Sequence, residues 1–160
     1  MPEKVVTASQ LIPLLEEARR EKKRIVFTNG CFDLMHIGHT RYLRAAKALG
    51  DLLVVGVNSD ASVKSLNKAP DRPVVGEAQR AEVLAALESV DYVVIFPEPD
   101  PLKLITALEP DVLVKGGDWA IDRIIGREVV ERRGGTVKTI PLVPGMSTTA
   151  LIQRIRSHAH

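Results

Sequence analysis

The sequence predicts one α/β domain: a parallel sheet with helices on both faces. Two observations lead there. Five short runs rich in β-branched and apolar residues alternate with helix-spaced segments along the chain. The total of 160 residues is enough for one core and short for two.

Taken in order, LLEEARREKK (14–23) carries Leu14, Leu15 and Ala18 at helical spacing, with Pro13 expected in the first turn. RIVFTN follows as the first strand. HTRYLRAAKALG is helical, with Gly50 expected as its C-terminal cap. LLVVGV is apolar throughout, as in a strand buried on both faces. The polar stretch from Asn58 to Gln79, punctuated by Pro70 and Pro73, reads as a long loop of the kind that forms lids. RAEVLAALESV is a helix and YVVIF the third strand. PDPLKLITAL opens a helix with Asp100 as N-cap and Pro101 at the first helical position. VLVKGG, REVVERRGG and TVKTI give a strand, a short helix with a glycine stop, and a fifth strand. TTALIQRI is a last helix capped by Ser147.

Composition excludes several classes. Twenty-two basic and 20 acidic residues, a net charge of +2, lie spread along the chain rather than gathered into a nucleic-acid-binding face. RREKKR (19–24) reads as a solvated helix end, and His158 and His160 as bland tail residues. The single cysteine, Cys31, excludes an internal disulfide and fits a reducing compartment. The N-terminus lacks the apolar core of a signal peptide, and no apolar run approaches a membrane span. The expectation is a cytoplasmic protein with no nucleic-acid or membrane partner.

A doubly wound, Rossmann-like sheet of order 3-2-1-4-5 binds ligands beyond the carboxyl ends of its strands, where the order reverses. Chemistry should therefore gather after the first and fourth strands. There the chain places Asn29-Gly30-Cys31-Phe32-Asp33, then His36-Ile37-Gly38-His39, and after the fourth strand Lys115-Gly116-Gly117-Asp118-Trp119. Gly145-Met146-Ser147-Thr148 follows the fifth. Imidazoles at i and i+3 on the first turn of a helix share a face and sit at the positive end of the dipole. Gly38 between them lets an anion approach the backbone. Zinc is the competing reading. Its helical histidines are normally spaced i, i+4 with a glutamate between and a third ligand, and this stretch has neither, so no metal ligand is assigned.

GCFDLMHIGH resembles the HxGH signature of a nucleotidyltransferase superfamily, and GMSTT its C-terminal signature. Together with VGVNSDASVK, QRAEVLAAL, PDVLVKGGDW and GGTVKTIPLVPGMSTTALIQRI, the chain from Ile25 to Ile155 resembles the D-glycero-β-D-manno-heptose 1-phosphate adenylyltransferases. The resemblance implies a single nucleotidyltransferase domain over residues 1–160 that makes ADP-heptose and pyrophosphate from ATP and a heptose 1-phosphate. Lipopolysaccharide core precursors would be its destination. In many relatives this domain is fused to a sugar kinase; the expectation here is a domain without that fusion, which implies a separate kinase, and relatives are commonly dimers or larger. The tryptophan of GGDW departs from the tyrosine frequent in adenylyltransferases. Glycerol-phosphate cytidylyltransferases carry tryptophan there, so a cytidylyltransferase is the alternative, and a non-catalytic nucleotide-binding module a second one.

The resemblance also implies roles. His36 and His39 meet the nucleotide's phosphates, Lys64 and Arg80 match superfamily positions that contact phosphate, and Ser147 and Thr148 donate to phosphate oxygens. Residues 29–32 line the cradle with Cys31 a small unreactive member, and Asp33 ties down a loop or holds a Mg²⁺-bound water. Lys115, Gly117, Asp118 and Trp119 meet the nucleoside. Mg²⁺ travels with ATP. Plain alternatives stand beside several roles: core packing for Trp119, a helix cap for Ser147, solvated charges for Lys64 and Arg80.

Overall fold

The structure, a computed structural model, describes residues 3–66, 69–117 and 119–159. Five parallel strands, β1 (Ile25–Gly30), β2 (Leu52–Asn58), β3 (Tyr92–Phe96), β4 (Val112–Gly116) and β5 (Thr136–Ile140), form one sheet in the order β3-β2-β1-β4-β5. The expected order 3-2-1-4-5 is the observed one. The helices are α1 (Ala8–Arg20), α2 (Ile37–Lys47), α3 (Asp60–Ser65), α4 (Glu77–Ala85), α5 (Leu102–Leu108), α6 (Arg127–Arg132) and α7 (Thr148–Ser157), with a short 3₁₀ turn at Ile121–Arg123.

Alternation along the strands builds two cores. Ile25, Phe27, Val54 and Leu113 face α1 and α5 through Leu11, Leu15, Ile105 and Leu108. Val26, Val55, Val57 and Val114 face α2 and α4 through Leu43, Ala46, Ala81 and Leu84. Burying such a side chain contributes about 1.5–3 kcal/mol. The apolar strands therefore hold two helical layers at once.

Pairing within the sheet positions the site. β1 pairs with β2 along its whole length, Ile25 to Gly30. It pairs with β4 only at Val26↔Val112 and Phe27↔Leu113. Beyond Phe27 the two strands diverge, and side chains bridge the gap. Thr28 Oγ1 lies 3.0 Å and Tyr42 Oη 3.2 Å from Val114 O, and the two hydroxyls are hydrogen-bonded to each other at 2.6 Å. Burial pushes the Tyr42 phenol up to about 12, the Thr28 hydrogen bond opposing it, so the group stays a neutral donor.

Several elements differ from expectation. α1 starts six residues before Leu14, at a Thr7/Gln10 capping box in which Gln10 N–H donates to Thr7 Oγ1 (3.2 Å) and Thr7 N–H to Gln10 Oε1 (2.9 Å). Pro13 therefore lies inside the helix, where the carbonyl it leaves unpaired is that of exposed Ser9, open to water. Leu14 faces solvent and Leu11 replaces it in the core. Gly50 is no left-handed cap: α2 ends at Ala48 with right-handed backbone, and a Cβ at Gly50 would lie 2.6 Å from Val26 Cγ2 and 2.8 Å from Arg24 O. Close approach to β1 explains that glycine. The stretch read as loop contains α3, capped by Ser59 Oγ accepting from Ser62 N–H at 3.1 Å. At α5 the cap is displaced by one residue: Pro101 occupies the N-cap position while Asp100 Oδ1 accepts from Leu102 N–H at 2.9 Å.

Candidate active site

A cavity of about 670 Å³ opens where β1 and β4 part. One wall is the β1–α2 connection, Asn29 to Asp33, with His36, Gly38, His39 and Tyr42. Lys115 and Gly116 close it from the end of β4, Met146 to Thr149 from the head of α7, and Ala69 and Arg72 from the α3–α4 connection. A second cavity of about 470 Å³ beside β3, lined mostly by apolar residues such as Val6, Val94 and Leu104, has no comparable set of polar groups.

The two histidines cap their own helix. His36 is the N-cap of α2; its Nδ1 accepts from Gly38 N–H at 3.1 Å, and His39 Nδ1 accepts from His36 N–H at 3.2 Å. This is a capping box built from imidazoles. The two ring centroids are 4.0 Å apart with the planes tilted by 36°, and His39 also meets the Phe32 ring at 5.6 Å. Each Nδ1 is an acceptor, so in the neutral ring the proton sits on Nε2 and makes it a donor. His36 Nε2 is buried and has no hydrogen-bond partner among the described residues. The amides of Gly38 and His36 are taken up by the imidazoles, so the donor each neutral ring has left is its Nε2–H. A Cβ at Gly38 would lie 2.7 Å from His36 Cε1 and 3.3 Å from Met146 Cβ, so the packing of His36 also calls for glycine there.

Burial first, and the neighbouring His36 second, lower the His39 pKa to about 4, with Asp33 opposing; burial also lowers that of His36. Both rings are therefore neutral donors near pH 7. Because the unfolded imidazole titrates near 6.5, the unfolded chain binds more protons between about 4 and 6.5. Stability should thus fall as pH is lowered through that window, since a protonated Nδ1 can no longer accept the His36 amide. Thermal melts at pH 7 and pH 5 should show a lower Tm at pH 5, and a His39→Asn variant a smaller drop. An equal drop in both would contradict this account.

Asp33, only 1% exposed, fastens the cradle. Its Oδ2 accepts from Arg72 Nε (2.9 Å) and Val74 N–H (2.8 Å), its Oδ1 from Val75 N–H (2.9 Å), and its carbonyl from Thr148 Oγ1 (2.7 Å). Burial raises its pKa, but the two amides and the guanidinium outweigh burial and hold the carboxyl below its usual value. Phe32 and Leu34 on either side have positive φ, 51° and 49°, which non-glycine residues adopt at a cost of roughly 1–2 kcal/mol each. Arg80 sits beneath the cradle rather than on the cavity wall. Also 1% exposed, it donates to Cys31 O (2.6 Å), Val75 O (2.8 Å) and Asp60 Oδ1 (2.8 Å).

The structure thus brings together Asn29 to Asp33, His36, Gly38, His39, Lys115, Met146, Ser147 and Thr148. Ser147 Oγ caps α7 by accepting from Ala150 N–H at 3.0 Å. Trp119 is 54% exposed, so core packing does not explain it; its ring lies 5.4 Å from Lys115 Nζ, over a cleft that shares Asn29 and Lys115 with the main cavity. Gly117 and Gly145, both at positive φ, shape the neighbouring turns without lining the cavity. Lys64 is exposed at the last turn of α3 and does not line it either. Asp118 lies outside the described residues. Sequence reasoning missed Tyr42 and Arg72. Arg72 had no local signal, because its partner Asp33 is 39 residues away.

A family model described as cytidylyltransferase-like matches residues 27–154. The chain belongs to the cytidylyltransferase-like family. It is accordingly a nucleotidyltransferase. Among curated relatives, the bifunctional protein HldE of Geotalea uraniireducens (strain Rf4) is 53% identical over 154 residues, 96% of this chain and 31% of the relative. HldE of Citrifermentans bemidjiense (strain ATCC BAA-1014 / DSM 16622 / JCM 12645 / Bem) is 57% identical over 135 residues, covering 84% of this chain and 28% of the relative. The chain thus spans about a third of these relatives' length. A solved lipopolysaccharide core biosynthesis protein from Thermoplasma volcanium GSS1 superposes with a TM-score of 0.62 at 30% identity, over 76% of this chain and 97% of that one. Pantoate–β-alanine ligase from Francisella tularensis, at 14% identity, TM-score 0.61 and coverage of 99% of this chain and 80% of that one, shares the fold. No helix among the described residues of this nucleotidyltransferase is long and apolar enough to cross a membrane.

Proposed function

We propose that the chain transfers AMP from ATP to D-glycero-β-D-manno-heptose 1-phosphate, giving ADP-heptose and pyrophosphate for lipopolysaccharide core precursors. The observation that carries the reading is the neutral imidazole pair, locked by its own backbone amides as Nε2–H donors in a cavity flanked by the N-termini of α2 and α7. Such donors suit charge that develops at an α-phosphate. The HldE relatives and the lipopolysaccharide protein support the choice of substrates.

In this reading a phosphate oxygen of the sugar attacks the α-phosphorus in line while the bond to the β-phosphate bridging oxygen breaks, and pyrophosphate leaves with that electron pair. No proton has to be removed, because a phosphomonoester with a second pKa of about 6 is already largely ionised. The task is to bring one anion onto another, which positioning and fixed donors accomplish. Mg²⁺ enters as part of the ATP substrate. Asp33, whose oxygens are engaged by Arg72, Val74 and Val75, serves as a fastening of the cradle. Trp119, Lys115 and Asn29 flank the nucleoside end.

The tryptophan of GGDW, Trp119, supports one other reading, a cytidylyltransferase acting on glycerol 3-phosphate or a similar small alcohol phosphate. Incubating the protein with ATP or CTP against each acceptor, and following pyrophosphate, separates the two. Release with ATP and the heptose 1-phosphate is expected; release only with CTP would sink the first reading.

A further inference from the structure

We infer that Arg72 is the side chain that receives the phosphate of the acceptor, an anion-binding group opposite the nucleoside end of the cavity. This rests on the nucleotidyl-transfer reading above. Two phosphate-bearing substrates must meet here, and each needs fixed positive charge or donors. The histidines are neutral. Among the described residues lining the cavity, the cationic side chains are Lys115 and Arg72.

These two enter from different sides. β2 and β4 flank β1, so the segment after β2 that carries Arg72 and the end of β4 that carries Lys115 approach the cavity from opposite edges. Lys115 lies over Trp119. With the nucleoside at that end, the acceptor arrives on the Arg72 side.

Arg72 is also built for the task. It is 9% exposed, yet it borders the cavity. Its Nε donates to Asp33 Oδ2 at 2.9 Å, and Asp33 is itself fixed by the amides of Val74 and Val75. The guanidinium plane is therefore held before any ligand arrives. Its two terminal nitrogens have no hydrogen bond among the described residues, and that edge of the fork matches two oxygens of a phosphate. The Asp33 carboxylate, close to the same anion, has its charge spread over three donors. A surface arginine would have to lose side-chain entropy on binding, and this one has lost it already.

The test compares wild type with Arg72→Lys, which keeps the charge against Asp33 but not the fork, and Arg72→Gln. The KM for heptose 1-phosphate should rise by roughly 10- to 100-fold in both, while the KM for ATP stays within about threefold. An unchanged acceptor KM, or an equal rise for ATP, overturns the inference. Wild type inactive with ATP and this acceptor would instead remove the reading on which it rests, and the inference with it. Should the variants fold poorly, the ¹⁵N signal of the Arg72 Nε–H in wild type, already loaded with a non-hydrolysable ATP analogue, supplies a second readout. It should shift when heptose 1-phosphate is added, and a stationary signal overturns the inference.

Discussion

Replacing His39 with alanine is expected to lower kcat by about 10²- to 10³-fold, the usual cost of removing one preorganised donor to transition-state charge. The loss should fall mainly on kcat, because the ring is proposed to meet charge that grows as the α-phosphate is attacked. Two effects overlap in this variant. The ring lines the cavity and is proposed to supply its Nε2–H there, and its Nδ1 accepts the His36 amide at 3.2 Å. Losing the cap alone costs about 0.5–2 kcal/mol of stability. His39→Asn separates them, since a short amide can still cap the helix but cannot reach into the cavity as the imidazole does. Asparagine should therefore restore much of the Tm lost in the alanine variant without restoring kcat. If either variant turned over at near wild-type rate, the proposed role of His39 would be wrong. Retained ATP affinity with no turnover by wild type on any acceptor would point instead to a non-catalytic module.

Much of this architecture was legible because it is written in local pattern. Apolar runs such as LLVVGV can be satisfied only between two layers, and His36-Ile37-Gly38-His39 stands at a strand-to-helix transition whose dipole end is a general anion site. What sequence could not supply is the long-range pairing. The Asp33–Arg72 bond joins residues 39 apart, and the Arg80–Cys31 bond residues 49 apart. An arginine read alone is a surface charge or a ligand contact; Arg80 turns out to have its donors on Val75, Cys31 and Asp60 because the α4 turn folds it under the cradle. Local signals were also overlooked: Thr7 and Gln10 form a capping box visible in the sequence, and Ser59-Asp60 announces α3. For the histidines the position was legible but not the tautomer. That depends on which backbone amide each Nδ1 meets.

Asp33→Ala should be the most destabilising of the substitutions considered, by about 3–5 kcal/mol, because it leaves a buried guanidinium without its counter-charge. The carboxylate also holds the Val74 and Val75 amides, which would lose their acceptor in the same step. Phe32 and Leu34 keep left-handed backbone around it, a conformation that persists only where the surroundings enforce it. Asp33→Asn retains an acceptor oxygen but not the charge, so it should lie between alanine and wild type. Urea unfolding checks the order, with midpoints falling from wild type to asparagine to alanine; a loss under about 1 kcal/mol in the alanine variant would contradict the fastening role. The pH dependence gives an independent sign. The folded pKa of Asp33 lies below the unfolded value near 3.8, so the unfolded chain binds the proton more readily. Its contribution is fully present above the unfolded pKa and is lost as pH falls through the lower folded one. Wild type should therefore lose stability on acidification below about pH 4 more steeply than Asp33→Asn, whose amide does not titrate.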